Sequence, residues 1–146
     1  MTKDNLYLDI LAEIEGTPTV DAHEHLPPEE TRLKEPRDFY SLFQHYCSAD
    51  LVSCGAREED MAAFADRALP LGERWNRFRP FLGRIRTGAY ARSALIVIRD
   101  ILGFEDLKDD TFEAVSAKLE EINTPGLYDH ILRDRCGLSA CIQCWR

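Results

Sequence analysis

The sequence predicts an α/β fold, mostly helical, with two short strands far apart in the chain. Three observations predict it. A short β-prone run at residues 19–22 leads directly into His23-Glu24-His25 and is closed by Pro27-Pro28. Apolar residues then recur at helical spacing through most of the chain. A second β-prone run follows at residues 138–142.

The elements follow in order. Residues 5–15 form an amphipathic helix, with Leu6, Ile10, Leu11 and Ile14 on one stripe and Gly16 as its stop. Thr17-Pro18 breaks it. The first strand then carries the His pair out into the Pro-Pro loop, where regular structure cannot continue. Asp38 caps a helix running through Tyr46, and residues 48–53 make a short turn ended by Gly55. Residues 58–68 form a helix with Met61, Phe64, Ala65 and Ala68 inward. Residues 71–85 form a longer one, bent at Pro80, that carries Trp75, Phe78 and Phe81. Residues 89–102 hold the most apolar stretch, ALIVI, which predicts the best-buried helix, ended by Gly103. Thr111 caps an amphipathic helix to Ile122, and Thr124-Pro125 opens a last helix that Gly137 closes.

Roughly a hundred residues of helix between two strands is far beyond a common connection length. Two strands alone are not a stable sheet. The expectation is therefore one unfinished domain over residues 1–146: the first part of a larger barrel, with a helical insertion over about 29–136.

With 45% hydrophobic residues in 146, the chain can build a core, and a formal charge of -8 disfavours nucleic acid and anionic membranes as partners. No apolar run approaches the roughly 18 residues of a membrane span. The N-terminus lacks a secretory h-region, and five cysteines without an export signal read as reduced thiols, so a cytoplasmic setting is expected.

The chemistry is concentrated in Asp21-Ala22-His23-Glu24-His25. Residues i and i+2 of a strand project to one face, so the two imidazoles can grip a divalent cation, most simply zinc. A rigid strand end opening into a loop belongs at the mouth of a β/α barrel. The alternative is a chance His-x-His on a surface loop. Asp21 is either a buried supporting carboxylate or a cap for the strand end.

The run TVDAHEHL resembles the His-x-His signature that ends the first strand in the amidohydrolase superfamily. These are (β/α)8, or TIM-barrel, metal-dependent hydrolases binding one or two divalent metals. The resemblance implies that His23 and His25 hold the more buried metal, that Asp21 stands behind them, and that a general-base Asp lies beyond the C-terminus. It extends to the uronate isomerase-like branch through three stretches: DAHEHLPP, the pair His45-Tyr46, and the helical span 75–104. In that branch the His-Tyr pair reaches the substrate. Where those isomerases carry Thr-Thr-Asp-Asp-Pro, this chain has Cys141-Ile142-Gln143-Cys144-Trp145, which puts a hydrolase ahead of an aldose–ketose isomerase of sugar acids. The implied partner is a small-molecule substrate, carboxylate-bearing in the isomerase case, with room for a homo-oligomer at full length. A third alternative is a helical remnant in which the His pair does nothing.

Other residues carry less. His130 reads as a helix-surface residue. Cys141-x-x-Cys144 reads as a pair of strand residues, and Cys47, Cys54 and Cys136 as small core fillers. Arg74, Arg77, Arg79, Arg84, Arg86 and Arg92 are interleaved with aromatics whose helical spacing assigns them to the core. Arg84 or Arg86 is the candidate for holding a substrate carboxylate.

Overall fold

The computed structural model describes residues 3–143, mostly helical with two short parallel strands. They divide into two compact units: residues up to Glu35 with those from Thr124 onward, and Pro36–Asn123. Segments 29–35 and 124–135, placed by the sequence in the helical insertion, fold with the strands.

The strand unit contains helix α1 (Lys3–Gly16), strand β1 (Thr19–Glu24), the short helix α2 (Glu29–Arg32), a wide helical turn over Asp129–Arg135 and strand β2 (Leu138–Gln143). β1 and β2 run parallel, with Thr19 opposite Leu138, Val20 opposite Ala140, Asp21 opposite Cys141 and Glu24 opposite Gln143. The register slips after Thr19 and again between Asp21 and Glu24. Side chains tie the ends of the pair: Ser139 Oγ donates to the Thr19 carbonyl at 3.0 Å, and the Leu26 amide donates to Gln143 Oε1 at 3.1 Å.

A clamp closes this unit. The Glu29 carboxylate accepts the Gly126 amide at 3.0 Å, and Arg32 donates to the Thr124 carbonyl at 3.1 Å while its guanidinium lies over the Tyr128 ring. Tyr128 in turn donates its hydroxyl to the Pro27 carbonyl. Gly126 adopts φ 89°, a left-handed conformation that favours glycine. This overturns the helix expected to open at Thr124-Pro125. With Gly126 left-handed and its amide taken by Glu29, helical structure starts only after it.

The helical unit begins with a tight turn over Phe39–Phe43, capped by Asp38. The helix expected through Tyr46 stops there, because Gln44 is extended and His45 is left-handed at φ 57°. The helices α3 (Cys47–Ser53), α4 (Glu58–Ala65), α5 (Leu71–Ile85), α6 (Ala89–Ile96) and α7 (Phe112–Glu121) follow. α4 ends three residues early because Asp66 turns extended and its carboxylate accepts the Ala68 amide. α5 continues through Pro80. The expected helix over 89–102 changes pitch: α6 gives way to a wide turn over Val97–Ile101, where the Leu102 amide reaches back to the Val97 carbonyl. Thr111 does not cap α7; its hydroxyl joins the Lys108 amide to the Asp106 carbonyl, closing the preceding loop.

Phe39, Phe43, Phe64, Phe78, Leu51 and Ile98 make the centre of the core, with Trp75 stacked on Phe112 at 5.2 Å. α5 buries the most large side chains, contrary to the expectation for ALIVI, where Ile96 is exposed. At the edge of this core, Arg74 is buried against Asp38 at 2.7 Å and donates twice to the Phe64 carbonyl. A buried charge needs such complete pairing, since desolvation would otherwise outweigh its attraction. Among the described residues, no helix is long and apolar enough to cross a membrane.

Candidate metal centre

β1 delivers His23 to its end, and His25 follows one residue beyond. The two rings stand edge to face with centroids 4.8 Å apart, and their Nε2 atoms approach to 3.0 Å. Both residues are exposed. That approach suits one proton shared between the two imidazoles, or one cation. Tetrahedral zinc with Zn–N bonds of about 2.0–2.1 Å holds its ligand nitrogens about 3.3 Å apart. The pair therefore needs only a few tenths of an ångström of adjustment to chelate.

The backbone around the rings is fixed by neighbouring carboxylates. Asp21 Oδ1 accepts the His23 amide at 3.0 Å, and Glu24 Oε2 accepts the His25 amide at 3.2 Å. Asp21 thus caps the strand end, one of the two roles its position allowed. Imidazole nitrogens suit zinc in donor type, and after that adjustment they would supply two of its four positions. Among the described residues, no set of three or more His, Cys, Asp or Glu side chains is gathered to hold an ion.

Cys141 sits across from Asp21 in the strand register. Partial burial, then the nearby Asp21 and Glu24 carboxylates, push its thiol up. Cys144, its partner in the C-x-x-C spacing, lies outside the described residues, as does Trp145. Cys47 is buried as expected of a core filler, whereas Cys136 is exposed on the turn before β2. His130 lies on the surface of its turn, 3.6 Å from Asp134.

The other candidate residues lie in the helical unit. His45 and Tyr46 meet edge to face at 4.3 Å, and Tyr46 stacks on Tyr90 at 5.3 Å. No local spacing announced Tyr90 as their neighbour. Arg84 donates to the Cys54 carbonyl and lies over the Phe81 ring. Arg86 reaches both oxygens of Asp106, at 2.8 and 2.9 Å, and lines a groove of about 400 Å³ with Arg92, Arg99 and Glu105. His45 and Tyr46 line a different groove, so the two arginines are not gathered with them.

No family model matches the chain, and no match was found among curated proteins or solved structures.

Proposed function

We propose that this chain is the N-terminal part of a metal-dependent hydrolase of the amidohydrolase type, in which His23 and His25 share a divalent cation, zinc by preference. The observation that carries the reading is the 3.0 Å approach of the two Nε2 atoms at the end of a strand. The exposed apolar residues of the strand unit, Val20 and Ile142 at 55% each, support the rest of it. A parallel sheet is normally covered on both faces, so these strands are suited to a larger barrel that supplies further strands and ligands.

The residues present do limited work. The imidazoles bind the ion through neutral nitrogens, and the Asp21 and Glu24 carboxylates hold the backbone that aims them. When bound, a divalent cation supplies Lewis acidity toward a substrate carbonyl. His23 and His25 are metal-binding residues in this reading, and the proton-transferring group lies elsewhere.

The test is metal content. The protein expressed from its whole reading frame should co-purify with near-stoichiometric zinc, and His23→Ala/His25→Ala should lose it. Equal zinc in both proteins contradicts the proposal. Turnover of lactones or amides supports the hydrolase; turnover of uronates alone replaces it with the isomerase.

A further inference from the structure

We propose that the groove between the Phe39–Phe43 turn and α6 is a binding site for a single uncharged aromatic ring of phenol type. The groove encloses about 250 Å³ and is lined by Leu42, His45, Tyr46, Tyr90, Ala94 and Val97, among others. It belongs wholly to the helical unit and is independent of the metal reading.

Three separate irregularities meet there. His45 holds a left-handed backbone at φ 57° without being glycine, an unfavourable conformation that persists only where surroundings enforce it. The helical pitch widens at Val97, and such turns often mark functional positions. Tyr46 and Tyr90 stack nearly parallel, with 16° between their planes, yet remain 54% and 47% exposed. Two large rings in register on a surface present an apolar platform with polar tips, the kind of surface aromatic ligands use.

The lining chooses the ligand. Among the described residues, no Lys, Arg, Asp or Glu contributes to it. A carboxylate placed there would lose hydration without gaining a counter-charge. A neutral ring loses little and gains burial against Leu42, Val97 and the tyrosine edges. The volume falls below the roughly 300–1,000 Å³ of sites for larger ligands, so one ring is the natural occupant. Tyrosine hydroxyls and the His45 imidazole can meet a ligand hydroxyl.

The experiment is a titration of the whole chain with phenol, benzoate and glucuronate, followed by NMR. Phenol should shift Tyr46, Tyr90 and Val97 saturably, with benzoate at least ~10-fold weaker because its charge stays unpaired. Tyr90→Ala should weaken phenol by ~10-fold or more, and Tyr90→Phe should retain it. Tyr90 is outside the core, so the variants should keep the wild-type melting curve; if Tyr90→Ala does not, the phenol-to-benzoate ratio of the wild type decides alone. No saturation by phenol, equal binding of benzoate or glucuronate, or an unchanged response in a folded Tyr90→Ala overturns the proposal.

Discussion

The two units of this chain treat their apolar residues in opposite ways. Pro36–Asn123 buries Phe39, Phe43, Phe64, Phe78, Leu51 and Ile98 almost completely. In the strand unit, Arg32 is the one buried side chain among the described residues, while Leu6, Tyr7, Leu8, Ile10, Ile14, Val20 and Ile142 are exposed. The helical unit can draw its stability from burial; the strand unit relies on the Glu29–Gly126 clamp and the strand ladder. The His pair therefore stands on the part of the molecule that supplies least of its own cohesion. A site whose geometry must be held within half an ångström needs more support than that.

Breaking the core should give the largest effect. Phe78→Ala should cost about 3–5 kcal/mol of unfolding free energy in urea, because it empties a fully buried ring site. Arg74→Met should cost a similar ~3–5 kcal/mol, since it strands the Asp38 carboxylate beside Arg67 alone. A loss below ~1 kcal/mol for either would show that the helical unit is not held by its core.

Alkaline pH sharpens the same contrast. Burial first, then the Asp50 carboxylate, pushes the Cys47 thiol up to about 11 from 9.0, and burial pushes the Tyr40 phenol up to about 12 from 10.0. Both groups are neutral when protonated, and the fold favours that form. Their contribution is complete below the ordinary values and is lost as pH rises from about 9 to 12. The melting temperature of the helical unit should fall across that window, and Cys47→Ala should flatten the part that begins near 9. A flat melting profile up to pH 12 would contradict it.

The strand unit should respond on the acid side. The Gly126 amide, followed by the Tyr128 amide and Arg32, holds the Glu29 carboxyl below the usual carboxylate range. A depressed acid stabilises the fold above its unfolded value, and that support fades as pH falls through the lowered one. Hydrogen exchange at Gly126 should accelerate on acidification relative to α5, and Glu29→Gln should accelerate it at neutral pH. The smallest effect belongs to Ile10→Ala on α1, within about 0.5 kcal/mol because the side chain is already exposed. A cost near that of Phe78→Ala would erase the distinction between the units.

Much of this was legible in residue order, where the signals were local. The strand leading into His23-Glu24-His25 and the core residues Trp75 and Phe78 followed from periods of two and 3.6, whereas Phe81, read with them, is only half-buried and Leu82 takes the buried place. The failures come from side chains that bond to backbone groups a propensity reading does not weigh, some distant in the chain and some local. Thr124-Pro125 looks like a helix start, but a carboxylate almost a hundred positions earlier takes the Gly126 amide. Thr111 looks like a cap, but it bonds backward into its own loop. α1 shows the helical period, yet most of its stripe is exposed, because periodicity specifies a face and not what covers it. Within the candidate site the His pair could be read from spacing alone. Tyr90 stacked on Tyr46 could not, since 44 positions separate them and only packing of the helical unit joins them.

The proposed cation would sit between the facing Nε2 atoms of His23 and His25. The most direct measurement is a long-range nitrogen–proton NMR titration of both imidazoles with zinc. The Nε2 resonances of His23 and His25 should move together and saturate in a single step. Movement of one ring without the other, or a response that persists in His23→Ala, would contradict it.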